Sequence, residues 1–231
     1  MEHVGVSLGM PLFYNLIIIE FMDSLSNYRQ RALQSLEGNW GNAVIVTVIY
    51  LLIASIFQVG LESVLPFSKD ISKLSGGLLS ILVLVPIGWG FLVYFLRLVR
   101  HEKLGVKDLF AGFVDYARVL LAMLLKTIYI LLWTLLLILP GIYKSLSYAL
   151  TEYVLLDHPE MNGEQAIRES MRLMRGKELS LFLLGLTFIG WAILSIITFG
   201  LGFIFLIPYI QTALAHFYED AVKEDRGAIE L

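Results

Sequence analysis

Apolar residues gather into six long stretches, 43–59, 78–96, 119–139, 142–156, 179–199 and 201–218, and the charged residues lie almost entirely between them. A helix needs about 20 apolar residues to cross a hydrocarbon layer, within a range of roughly 17–25. The stretch 43–59 only just meets that range and 142–156 falls short of it, while the others reach it. The pattern predicts an all-α fold, a polytopic membrane helical bundle of six transmembrane helices.

The polar segments carry a second periodicity. Asn162-Gly-Glu-Gln165 has the capping-box spacing that starts a helix. Ala166, Ile167, Ser170, Met171 and Met174 then share one face, with Glu164, Arg168, Glu169, Arg172 and Arg175 opposite and Gly176 at the stop. This is the pattern of a short amphipathic helix lying on a membrane surface. Residues 24–37, with Leu25, Tyr28, Ala32, Leu33 and Leu36 before Gly38, read the same way, as do residues 107–117 with Leu109, Phe110, Phe113 and Ala117.

Together these patterns make a repeat of surface helix, outward span, turn and inward span, over roughly 24–98, 107–157 and 163–221. Gly141 matches Gly202, Tyr148 matches Tyr209 and Thr151 matches Thr212 without a gap. The surface helices of the first and third units end alike, in Leu36-Glu-Gly38-Asn and Met174-Arg-Gly176-Lys. The expected architecture is therefore three tandem hairpins, each preceded by a cytoplasmic amphipathic interfacial helix.

Lys and Arg favour the cytoplasmic side of short loops. Arg29 and Arg31, the group Arg97, Arg100, Lys103, Lys107 and Arg118, the group Arg168, Arg172, Arg175 and Lys177, and Lys223 with Arg226 all fall on one side of a six-span topology. Only Lys69 and Lys73 fall in a loop on the other, while Lys126 and Lys144 lie within spans. This places the N- and C-termini in the cytoplasm, in a multi-pass membrane protein. Residues 1–21 read as an N-terminal extension or peripheral segment, because the apolar run Leu12–Ile19 is too short to span; a seventh span is the alternative. Residues 22–222 form a single membrane domain and 223–231 a cytoplasmic tail.

Composition narrows the chemistry. Only 16% of the residues are charged, against about 25% in an ordinary soluble domain. A net charge of −3 argues against nucleic acid as a partner. With no cysteine, disulfides and thiolate chemistry are excluded. No metal-ligand spacing, P-loop or nucleophile motif is present, so no catalytic, metal or cofactor residue is assigned and the chain is not expected to be an enzyme.

Four separated blocks resemble a known family. They are Asn27–Asn42, Pro140–Pro159, Ala166–Gly176, and the set Phe188-Ile-Gly-Trp191, Thr198–Gly202, Pro208-Tyr209 and Phe217-Tyr218. Their order and content are similar to domain of unknown function 975, a group of bacterial integral membrane proteins. The resemblance covers about 22–222 and implies the membrane architecture, with no activity to carry over. Two features depart from the family: residues 1–21 have no counterpart, and Glu152 stands where proline is usual.

Candidate sites come from polar residues within apolar stretches, each of which costs about 2.5–3.5 kcal/mol if charged at mid-span. Lys126 and Glu152 fall at similar depth on adjacent antiparallel spans and are expected to pair, either as an ion-sensitive element or as a structural one. Lys144, Tyr148 and Thr151 share a helix face, and Gln211 and Thr212 stand in the corresponding part of the third unit. Spans four and six, one short and one interrupted by Pro208, are matching positions of the kind that mark transporter sites. Arg168, Arg172, Arg175 and Lys177 could attract anionic lipid headgroups of the bilayer. The leading functional expectation is a non-enzymatic membrane component, for scaffolding, partner binding or envelope maintenance. The alternative is a small transporter or lipid-handling protein with its site between spans four and six.

Overall fold

The computed structural model describes residues 9–57 and 69–229. Every regular element among them is helical: α1 (Gly9–Leu36), α2 (Trp40–Ser55), α3 (Lys69–Val99), a 3-10 helix (Val106–Phe113), α4 (Tyr116–Leu136), α5 (Ile138–Ser147), α6 (Thr151–Asp157), α7 (Gly163–Met174), α8 (Glu178–Thr187), α9 (Ile189–Ile197) and α10 (Phe203–Ile229).

Local chemistry accounts for the helix ends. At the start of α7 the Gln165 amide donates to Asn162 Oδ1 at 3.0 Å, and the Asn162 amide donates back to Gln165 Oε1 at 2.8 Å. Two amides that a helix N-terminus leaves unpaired are thus satisfied. The helix buries Ala166, Ile167, Ser170, Leu173 and Met174. It stops where Gly176 takes φ +79°, as α1 stops where Gly38 takes φ +77°. In both turns the residue after glycine donates to the carbonyl two before it, Asn39 to Leu36 and Lys177 to Met174, each at 2.8 Å. A residue with a Cβ would be strained in that left-handed conformation. Beyond Gly38 the chain bends by 97° into α2.

The two later hairpins share their closest approach. A Cβ on Gly141 would stand 2.7 Å from Thr134 Cα, and one on Gly202 would stand 2.7 Å from Ser195 Cα. Both facing hydroxyls bond within their own helix at 2.8 Å, Thr134 to the Ile130 carbonyl and Ser195 to the Trp191 carbonyl. The reversal in the second hairpin falls at Leu137, whose backbone is extended (φ −159°, ψ 142°), slightly before the Pro140-Gly141 position expected from sequence. Pro140 instead sits in the first turn of α5, where its missing N–H leaves no bond unmade.

Three segments are long and apolar enough to cross a membrane: Ser80–Val99, Tyr116–Leu136 and Glu178–Ile197. A fourth counts if the bent pair Asp23–Leu36 and Trp40–Ser55 is taken as one. The other expected spans differ for visible reasons. Stretch 142–156 is divided by the turn at Tyr148–Leu150 between α5 and α6. In α10, Gln211, Thr212 and His216 dilute the apolar run before Glu219 and Asp220. Stretch 43–59 runs from α2 into residues outside those described. Lys69 and Lys73, expected in a loop, lie in α3. The second surface element is a 3-10 helix rather than an α-helix over 107–117, and α1 reaches back from the expected 24–37 to Gly9.

The three units close into a ring. The 3-10 helix packs on α3, α7 packs on α4 and α6, and α1 packs on α10. Each surface element therefore rests on the preceding unit, and the first rests on the third. Polar contacts follow the same order: Arg97 pairs with Asp108, Ser170 Oγ donates to the Ser147 carbonyl at 2.9 Å, and Arg31 pairs with Asp220. Ser80–Val99 is the most enclosed of the long segments, 56% buried against 11% for Tyr116–Leu136 and 22% for Glu178–Ile197. The peripheral pair exposes apolar side chains continuously around its turns, from Leu135 to Leu139 and at Ile196, Ile197, Phe199 and Leu201.

Candidate functional site

Lys126 on α4 and Glu152 in the first turn of α6 meet, with Nζ 2.6 Å from Oε1 and 2.7 Å from Oε2. The break at Tyr148–Leu150 puts Glu152 at a helix N-terminus, where a carboxylate also meets the favourable end of the backbone dipole. Trp89 Nε1 donates to the Glu152 carbonyl at 3.0 Å and joins the pair to α3. Both charges are balanced within the protein.

The five polar residues expected to form one site do not line one cavity. Thr151 and Thr212 are fully buried, and each hydroxyl donates to nearby backbone, to the Tyr148 carbonyl at 2.8 Å and to the Pro208 carbonyl at 2.7 Å. Tyr148 is buried beside Tyr129. Gln211 has a buried Oε1 without a hydrogen-bond partner. Lys144 opens onto a cavity that faces α7 rather than α10. Both threonine hydroxyls thus spend their one donor on backbone carbonyls.

A charged network at the return ends of the hairpins escaped sequence reasoning. Arg100 holds Asp157 by two bonds of 2.7 and 2.6 Å and Glu219 by one of 2.7 Å, and the Tyr218 hydroxyl donates to Asp157 Oδ2 at 2.7 Å. Arg100, just after the first unit, thus meets one acid of each of the other two. Burial disfavours charge on Asp157, but the bonds from Arg100 and Tyr218 outweigh it and hold the carboxyl below its ordinary range. Arg118 donates to the Leu155, His158 and Met161 carbonyls at and beyond the end of α6. The partners are separated by 57 and 119 positions along the chain. Only the positive clustering of Arg97, Arg100 and Arg118 hinted at them.

Cavities lie where the units abut. One of about 260 Å³ is lined by Lys144 and Ser147 of α5 and by Arg168, Met171, Arg172, Arg175 and Glu178 of the third unit, with Tyr143 at its edge. Next to it, sharing Tyr143 and Glu178, runs an apolar groove of about 390 Å³ between Leu139, Ile142, Leu146, Leu179 and Phe182. A third cavity of about 350 Å³ lies between the third unit and the first, with Leu33, Trp40, Trp191, Phe205 and Tyr209 among its walls. The repeat relates the first and third of these. With Gly176 matched to Gly38 and Gly202 to Gly141, Met171 corresponds to Leu33, Glu178 to Trp40 and Lys144 to Phe205. Two equivalent seams therefore carry opposite chemistry, cationic in one and apolar in the other.

The cations at the charged seam are not equally free. Arg168 pairs with Glu164, Arg172 with Glu169 and Asp225, and Lys177 with Glu224. Lys177 points toward the C-terminal helix and away from the cavity. Lys144 lies over the rings of Trp133 and Tyr148, 5.3 and 5.9 Å from their centroids. Among the described residues, neither Lys144 nor Arg175 has a carboxylate within ion-pair distance.

Among the described residues no group of three or more His, Asp or Glu is placed to hold a metal ion. Neither a curated protein nor a solved structure matches the chain. The pattern of one family, described as protein of unknown function DUF975, matches residues 22–143 and 135–225. With the repeat, its turns and its interlocked surface elements now described, the chain belongs to that family.

Proposed function

We propose that this protein is a non-enzymatic integral component of the bacterial inner membrane, in which three hairpins make six crossings and both termini face the cytoplasm. The observation that carries this reading is the division of the surface. The turns of the second and third hairpins expose only apolar side chains, from Leu135 to Leu139 and from Ile196 to Leu201 apart from small polar or glycine positions, while the ion pairs gather at the opposite ends. An apolar surface of this extent is costly in water and favourable in lipid. Scaffolding or partner binding suits a chain whose mass is almost entirely in the membrane layer.

The test is topology. Reporter fusions after Gly141 and after Glu164 should report opposite sides of the membrane, with Glu164 cytoplasmic. The same side for both would overturn the six-crossing arrangement. The lipid-handling alternative gains a specific observation, a cationic cavity that shares two lining residues with an apolar groove.

A further inference from the structure

We propose that the seam between the second and third units binds one anionic phospholipid, with its phosphate between Lys144 and Arg175 and an acyl chain along the groove of Ile142, Leu146, Leu179 and Phe182. This rests on the membrane reading above.

Three observations lead to it. First, the cavity wall itself carries more cations than acids. Lys144 and Arg175 have no carboxylate partner among the described residues, and the remaining arginines at the rim are already engaged. The one acid in the wall, Glu178, is occupied on Oε1 by the Tyr143 hydroxyl at 2.9 Å, with Ser147 Oγ at 3.5 Å. Second, the cavity adjoins an apolar groove, with Tyr143 and Glu178 lining both, so a polar space and an apolar one are neighbours. That is the shape of an amphiphile. A free phosphate would use the cavity and leave the groove empty. Third, the equivalent seam between the third and first units replaces Lys144 by Phe205 and Glu178 by Trp40. The same fold thus provides an apolar counterpart without the cations, and a charge-selective ligand is expected at one seam only.

Guanidinium and ammonium groups suit this ligand in different ways. Arginine offers a planar fork to phosphate oxygens, and lysine a point charge. Lys144 is already held over two aromatic rings, so part of the cost of ordering its side chain is met before a ligand arrives.

The experiment is native mass spectrometry of the full chain released from detergent in the presence of phosphatidylglycerol, phosphatidylcholine of the same acyl chains, or inorganic phosphate. One phosphatidylglycerol should be retained per chain in preference to phosphatidylcholine. The double substitution K144Q/R175Q should weaken that retention roughly 25-fold, at about one unit charge of surface attraction per cation. R175Q alone should weaken it about fivefold. Arg175 is exposed at the helix end, so this variant tests the site even if the double variant does not fold. K223Q, an exposed lysine outside the cavity, should leave retention unchanged. I142W, which fills the groove, should reduce retention of the lipid. Equal retention by the wild type and R175Q would overturn the headgroup assignment. Full competition by inorganic phosphate at matched concentration, or unchanged binding in I142W, would overturn the acyl-chain half and leave an anion site. A chain that fails the topology test yet retains phosphatidylglycerol selectively would separate this proposal from the six-crossing arrangement.

Discussion

Lys126 and Glu152 show how a single pair constrains its surroundings. Removing either partner leaves the other's charge in a place with little water. The side chains are mostly enclosed, so K126M is expected to cost about 2–4 kcal/mol, near the ~3–5 kcal/mol typical of one-sided loss of a buried pair. K126M/E152L should recover most of that loss, as read from unfolding in detergent. No recovery would mean that Glu152 matters through some other contact. Asp157 makes a prediction about acid. Its carboxyl is held below the ordinary range, so its ionised form stabilises the fold. That contribution is complete above the unfolded-state value of about 3.9 and is lost as the pH falls through the lower folded-state value. The apparent Tm should therefore decline less steeply from pH 5 to pH 3 in D157N than in the wild type, from a lower starting point. Parallel acid profiles would refute this.

At the scale of elements, the paired glycines matter most. Gly141 and Gly202 let their hairpin limbs touch backbone to side chain, 2.7 Å from a hypothetical Cβ to the facing Cα in each. G141L and G202L should each destabilise the protein by about 1–3 kcal/mol, the usual cost of overpacking, and by similar amounts because the sites are equivalent. A marked difference in their Tm shifts would show that the two hairpins are not loaded alike. These features were legible in sequence because they are local. A capping box needs three intervening bonds, a left-handed turn needs one glycine, and a repeat needs only a constant offset. The division of α5 from α6 was not legible, since no proline or glycine marks Tyr148–Leu150. It depends on Ser170, which accepts from the Leu150 amide at 3.1 Å and donates to the Ser147 carbonyl. The partner that stabilises the break lies 20 residues away. The cationic cavity was half legible for the same reason. Its arginines and Lys144 were each singled out, but the contact between Lys144 and Met171 that joins them is tertiary.

For the whole molecule, the contact that closes the ring of units is the most telling one. Arg31 on α1 reaches Asp220 on α10 across 189 positions, and Ser35 meets His216 Nε2 at 2.9 Å beside it. Both partners are near the surface, so R31D should cost about 1 kcal/mol or somewhat more. R31D/D220R should restore part of it, with the exchange read from limited proteolysis of α1 as well as from Tm. Failure of the double variant to protect α1 would place ring closure in the packing of Tyr28 on Phe217 instead.

The outer turns of the second and third hairpins have a consequence for how the chain is made. Leu136 to Gly141 and Thr198 to Gly202 contain no ionisable side chain. Each charged residue that must be carried into the hydrocarbon centre raises the cost by about 2.5–3.5 kcal/mol. These two tips carry none, so in the six-crossing arrangement proposed above each pair of limbs can enter the bilayer tip first during biosynthesis. The charged side chains of the second hairpin, Lys126, Lys144 and Glu152, then lie behind the tip, on the limbs, and the surface helix left behind stays at the entry face, ready to dock on its neighbour.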